Sequence, residues 1–410
     1  MSRLPFFFII TGMIGFFVFH GASIISLFDW MNHSLRGPDG WFHIHLFVLG
    51  WATMLAMGAV YQLINVILQS EIYSKKLGYI HYAVFTIGLS GLLYGFLKAE
   101  IFMIASFASL MFIGILIFAW NIFITLIRAS LWNAITISAG CSVLYLVLTG
   151  VSGLAMGINF VTGTWNLYHE NIFAAHIWLG TIGWFGLLIT GFSYKMLPMF
   201  YLSHHYPVRL QKMIVLIWNF AVLFGAASFL LNGGFAFIWF TLFVITVAII
   251  LYNVHLLQIK KYRFKKSPGL GIIWSIYASQ ALMVFAMIMT IYAFIFPGQM
   301  LTAKSISLAG WIYIGGWVSF TILCYASKII PFLWWSMKYG KQAGKANTPL
   351  MADLLDEKKV RAGLAAIAVC IISLLIAFII DASTLMLISG IAFSTFSILY
   401  MGLIGFVFSR

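Results

Sequence analysis

The stretch WFHIHLFVLGW, residues 41–51, sets two histidines two apart in a run that otherwise reads as lipid-soluble. A polar side chain inside a membrane is costly, so it has a partner or a task. Neutral imidazole is a natural ligand for iron in such a setting. Residues two apart on a helix differ by about 200° in direction. His43 and His45 must therefore face different neighbours and cannot easily hold one metal together. Two further histidines inside apolar runs are candidate iron ligands with them: His20 in the first run and His176 in the sixth. The alternative for each of the four is a structural imidazole bonded to a neighbouring helix. His169 and Glu170, just before the sixth run, read as a solvated loop, and His33 as a loop residue. His81, His204, His205 and His255 read as helix ends at the membrane interface, and Lys195 and Lys328 as lysines that snorkel there.

Composition dictates the elements that must carry these residues. The chain has 410 residues, 63% hydrophobic and 8% charged, which excludes a soluble domain and points to a polytopic membrane protein. A helix needs about 20 apolar residues to cross the hydrocarbon. Twelve such runs fall at roughly 4–28, 42–69, 77–97, 101–127, 132–158, 171–199, 210–231, 235–257, 270–296, 305–335, 360–380 and 383–408. The expectation is one all-α membrane domain over 1–410. The net charge of +14 is no nucleic-acid signal, because its distribution follows the positive-inside rule. Lys75, Lys76, Arg128, Arg209, Lys212, the run KKYRFKK (260–266) and the 338–361 loop share one side. The other side carries Arg36, Lys98 and Lys304. Both termini are expected in the cytoplasm, with the first run a retained helix in the cell membrane. Cys141, Cys324 and Cys370 lie inside apolar runs without CxxC spacing, so neither zinc nor a disulfide framework is expected.

An internal repeat runs through the chain. HIHLFVLGWATMLAMGAVYQLIN (43–65) lies over HIWLGTIGWFGLLITGFSYKMLP (176–198) without a gap. His43 matches His176, Gly50-Trp51 matches Gly183-Trp184, Gly58 matches Gly191 and Tyr61 matches Tyr194. The same offset again reaches Gly316-Trp317, Lys328 under Lys195, and Pro331 under Pro198. The third copy has Ala309 where the histidine stood. Asn121 and Asn253 add a weaker echo. The reading is three four-helix repeats, at about 1–130, 131–265 and 266–410, in a ring with pseudo-three-fold symmetry. It is not the inverted pair of a typical secondary transporter.

Twelve helices in three arcs, with histidines near the outer ends of the second and sixth, resemble the heme-copper oxidase subunit I superfamily. The nearest likeness is to cbb-type oxidases and their divergent NnrS-like relatives. The likeness covers the whole chain as architecture, and at residue level it is concentrated in 43–65 and 171–213. His43, Gly50 and Trp51 fit the spacing of the family's low-spin heme ligand, and His176 with Gly180 falls where the sixth helix carries a copper ligand. YPVRLQKMIVLIWNF (206–220) is similar to the entry of the family's seventh helix. The departures are as informative. LLNGGFAF (230–237) lacks the family's paired copper histidines, His204-His205 stands at the wrong end, and SISLAGWIYIGGW (305–317) lacks the tenth helix's histidines. No carboxylate lies within a helix interior.

What the resemblance implies is a heme protein of b type without a complete copper site. It would serve electron transfer or the handling of a diatomic gas, oxygen or nitric oxide, and would not be a proton-pumping terminal oxidase. Its partners would be the bilayer and other respiratory subunits, a quinone or a small electron carrier, with no nucleic acid. A heme between His43 or His45 and His176 would repeat the family's device, moved round by one repeat. Repeat register favours His43, and analogy with the family's tenth helix favours His45. The other histidine would then face a second, five-coordinate site near His20. The rival expectation is a metal-free transporter, chaperone or assembly scaffold on the same fold.

Overall fold

The computed structural model describes residues 3–26, 33–69, 71–345 and 347–410. Among the described residues, twelve helices are long and apolar enough to cross a membrane. They are α1 Leu4–Ile25, α2 Pro38–Asn65, α3 Lys75–Lys98, α4 Ile101–Ala129, α5 Ala134–Thr162, α6 Asn166–Tyr201, α7 Arg209–Leu230, α8 Phe235–Lys261, α9 Leu270–Ile295, α10 Ala303–Lys338, α11 Glu357–Ile379 and α12 Ser383–Ser409. The chain is thus an all-α, multi-pass membrane protein whose lipid-facing surface is that of the helix bundle.

Local chemistry sets several of the boundaries. Pro5 sits in the first turn of α1, where its missing N–H costs nothing. Asn133 caps α5 through Ile135 and Thr136, with the Thr136 hydroxyl returning the bond to the Asn133 backbone. Gly163 ends α5 at φ +65°, where a side chain would be strained. Two helices begin several residues earlier than hydropathy predicts. Pro38 and Asn166 open α2 and α6 ahead of the expected 42 and 171. A hydropathy window dilutes a polar first turn, whereas backbone hydrogen bonding does not.

Three helices share an uncommon feature. The backbone of α2 is π-helical over Leu46–Thr53, that of α6 over Leu179–Gly186 and that of α10 over Trp311–Ser319. Each segment carries a fully buried tryptophan, Trp51, Trp184 and Trp317, spaced 133 residues apart. The Trp184 indole donates to the Thr53 hydroxyl at 3.2 Å, tying α6 to α2. The Trp317 indole donates to the Ser279 hydroxyl at 2.9 Å, tying α10 to α9. Pro198 and Pro331, likewise 133 apart, lie inside α6 and α10.

Packing follows chain order. α1 packs on α2, α5 on α6 and α9 on α10; α3 pairs with α4, α7 with α8, and α11 with α12. α4 leads into α5, α8 into α9, and α12 returns to α1. Contact between α1 and α2 is close enough that a Cβ on Gly15 would fall 2.2 Å from the Gly50 carbonyl oxygen. Phe6 of α1 packs on Phe408 at the far end of the chain, and the Trp334 indole donates to the Arg410 carbonyl. Both termini therefore meet at one end of the bundle.

His81 and His255 lie six residues inside the ends of α3 and α8, but they are fully buried against other helices and not exposed at the interface. The Tyr61 hydroxyl meets His81 Nδ1 at 3.0 Å, and the rings of Phe8 and Phe118 stack against it at 4.9 and 5.0 Å. Gln211 of α7 donates to His255 Nε2 at 3.1 Å. Lys328 is also no free snorkelling lysine. It is only 17% exposed and pairs with Glu357, whose second oxygen accepts the Leu270 N–H at 2.9 Å. One carboxylate thus joins α9, α10 and α11.

A histidine pair between the second and sixth helices

The HIHL segment closes the first two turns of α2 just before its π-helical stretch. His43 and His45 leave the helix on different sides, as their angular separation requires. His43 is buried and faces α1. Its Nδ1 lies 2.9 Å from the Asp39 carbonyl and 3.3 Å from the Asp39 carboxylate, and its Nε2 lies 3.4 Å from the Ser26 hydroxyl. His20 occupies the same flank. It is fully buried on α1, with Nδ1 3.1 Å from the Ser394 hydroxyl of α12 and its ring edge-on to Phe16, Phe19 and Phe393. Phe19 touches both imidazoles, at 4.9 Å from His20 and 6.3 Å from His43.

His45 faces the other way and meets His176. The two ring centres are 6.4 Å apart with the planes inclined by 32°. His45 Nδ1 lies 2.8 Å from the Trp41 carbonyl, one turn back on its own helix. His176 Nδ1 lies 3.0 Å from the Thr149 carbonyl of α5 and 3.1 Å from the Ser152 hydroxyl. A carbonyl oxygen only accepts, so in both rings Nδ1 carries the proton and Nε2 keeps its lone pair. That is the usual arrangement of a metal-binding histidine, whose orientation is fixed by a hydrogen bond on the non-ligating nitrogen. Both side chains are half-buried, whereas His20 and His43 are closed in.

The α5 contribution was not legible in the sequence. Thr149, Ser152 and Gly153 form one turn that receives His176. Gly153 leaves the ring its room, because a Cβ there would lie 3.0 Å from His176 Cε1 and press the imidazole out of place. Aromatic rings line the route from the pair to the end of the bundle. Phe96 of α3 lies 4.8 Å from His45, Trp41 lies 5.9 Å from Phe96, and Phe160 stacks on Trp41 at 5.2 Å. His169 follows at 5.4 Å from Phe160, with its Nδ1 3.3 Å from the Asn159 amide. His169 and Glu170 are helical rather than loop residues, and Glu170 pairs with Arg36 at 2.9 Å. His33 lies in a short 3-10 turn, His33–Arg36; His204 and His205 are exposed beyond the end of α6.

Among the described residues, no group of three or more His, Cys, Asp or Glu side chains is gathered closely enough to hold a bare metal ion. A porphyrin asks less of the protein, because it brings its own equatorial ligands and needs only axial ones. Two anchored imidazoles from facing helices fit that need. No protein-family model matches the chain, and no curated protein matches it in sequence.

Proposed function

We propose that this chain is a heme-binding membrane protein of the oxidase subunit I type. It would be built as three four-helix repeats in a pseudo-three-fold ring and serve electron transfer or the handling of a diatomic gas. The observation that carries the reading is the His45–His176 pair, with each Nδ1 committed to a carbonyl. The repeat is supported by the three π-helical segments, the tryptophan spacing and the return of α12 to α1. Heme iron, when bound, supplies one-electron chemistry or a site for a diatomic ligand. The protein's part is to present two Nε2 lone pairs. The Trp41 and Thr149 carbonyls hold the imidazoles in the ligating tautomer, and the Ser152 hydroxyl and the gap at Gly153 fix the His176 ring.

The ring geometry explains why His45, and not the repeat-matched His43, meets His176. Contacts between successive copies in a ring are head-to-tail, so equivalent positions do not meet. His176 occupies the position of His43, and its partner must come from another position of the preceding copy. The same rule pairs Ala309 with Trp178 at the next boundary and His43 with Trp311 at the last. Only one of the three boundaries then joins two histidines. The proposal is therefore one bis-imidazole heme per chain, and any second heme on the His20–His43 flank would be five-coordinate.

The membrane is taken to be the cell membrane, with both termini cytoplasmic and the histidine pair toward the outer surface. The basic residues support this orientation, because the excess of lysine and arginine lies at the end of the bundle where the termini meet. Quantifying extracted heme against protein in the purified chain tests the reading. About one heme per chain is the expected result. A colourless, folded protein would instead favour the transporter, chaperone or scaffold reading.

A further inference from the structure

The cations at the end of the bundle that holds the termini are not evenly spread. The run KKYRFKK (260–266), between α8 and α9, carries five of them, and Arg209 and Lys212 open the neighbouring α7. All seven are exposed, and none forms an ion pair among the described residues. Elsewhere at this end carboxylates stand among the cations: Glu71 pairs with Lys75 and Glu357 with Lys328. From 171 to 352 the sequence has no aspartate or glutamate at all.

The rule that gathers lysine and arginine on one side of a membrane asks only for charge in the loops. Here two loops are also joined into one surface. Ser203, after α6, and Arg263, after α8, form an antiparallel β-bridge. The Lys265 N–H donates to the Tyr201 carbonyl at 3.0 Å, and the Ser203 hydroxyl to the Ile259 carbonyl at 2.9 Å. Arg263 Nη1 donates to the Lys260 carbonyl at 2.6 Å, which holds the guanidinium at the end of α8 and leaves other N–H donors for a ligand. Phe264, set between Arg263 and Lys265, is 76% exposed, with its ring 5.9 Å from that of His204. Leu202 and Val208 are exposed in the partner loop. None of the seven cations is more than four residues from the end of a span, which puts them in the head-group layer. Cations mixed with exposed apolar side chains are the composition of a surface that lies in that layer.

We propose that the joined α6–α7 and α8–α9 loops form a binding surface selective for the head groups of acidic phospholipids. Phosphodiester oxygens accept from the lysine ammonium groups and the Arg263 guanidinium, and the Phe264 ring inserts among the first acyl carbons. Contact with a bilayer follows from the spans alone. A preference for anionic over zwitterionic head groups, localised to these two loops, does not. The inference goes beyond the heme proposal and does not depend on it.

The test reconstitutes the full chain in phosphatidylcholine vesicles with a trace of spin-labelled phosphatidylglycerol or, in parallel, spin-labelled phosphatidylcholine. Electron spin resonance reads the motionally restricted fraction of each label. The expected result is a preference of about threefold or more for phosphatidylglycerol at about 0.1 M salt, falling toward none near 1 M as the Debye length shrinks. Lys261→Gln, Lys265→Gln and Lys266→Gln in one chain should remove most of that preference. Lys341→Gln, Lys345→Gln and Lys358→Gln take the same charge from exposed positions of another connection and should keep it. All six lysines are exposed, so neither variant disturbs the packing of the helices. Equal restriction of the two labels by the parent chain would overturn the proposal and leave an acidic soluble protein as the occupant of the surface. Equal loss of preference in the two triple variants would overturn it as well, because net charge would then suffice.

Discussion

At the scale of single residues, the account turns on what holds His176. Gly153→Ala puts a methyl 3.0 Å from His176 Cε1, whereas Gly157→Ala meets nothing closer than 3.5 Å. The first should lower heme retention with little change in thermal unfolding, and the second should leave both as they are; heme-to-protein ratios and melting curves on the two variants check this. The candidate ligands were legible because histidine is rare in apolar runs, but their pairing was not. Matching His43 to His176 finds equivalent positions, and in the proposed ring equivalent positions do not touch. Thr149, Ser152 and Gly153 gave no signal either, since small and hydroxyl residues are common throughout membrane helices. The burial of His81 and His255 was missed because distance from a helix end says nothing about which face is buried.

At the scale of elements, hydropathy located the twelve spans to within a few residues. It was blind to the π-helical segments, because a π turn changes backbone pairing and not composition. Those segments place Trp184 against Thr53 across the α2–α6 boundary, eight residues along each helix from the histidine pair. Thr53→Val keeps the shape and removes the acceptor from a buried indole N–H. A loss of about 0.5–2 kcal/mol is expected, bracketing the modest values typical of bonds between membrane helices and the larger cost of an orphaned donor. Reversible unfolding in mixed micelles would measure it. Glu357 is the corresponding fastener among α9, α10 and α11. Its carboxylate is 43% exposed, so Glu357→Gln should cost about 1–2 kcal/mol, less than breaking a fully buried pair. Restoring neutrality with Lys328→Met in the same chain should recover part of that loss.

At the scale of the whole molecule, the chain order of packing closes on itself: α12 returns to α1, and the termini share one end. Sequence offers this closure only through the 133-residue period, which repeats at Trp51, Trp184 and Trp317. The proposed orientation, drawn from the lysine and arginine distribution, predicts that a reporter fused after Arg410 behaves as cytoplasmic. An external signal would reverse the orientation assigned to the histidine pair. In the proposed three-repeat ring one boundary joins two histidines, so one bis-imidazole heme per chain is the expected number. The most direct measurement is the reduced-minus-oxidised absorption spectrum of the purified chain beside its His20→Ala, His43→Ala, His45→Ala and His176→Ala variants. The account predicts a low-spin heme signal lost together in His45→Ala and His176→Ala and kept in His20→Ala and His43→Ala. Full retention of that signal in His45→Ala and His176→Ala, or no heme in the parent chain, would contradict it.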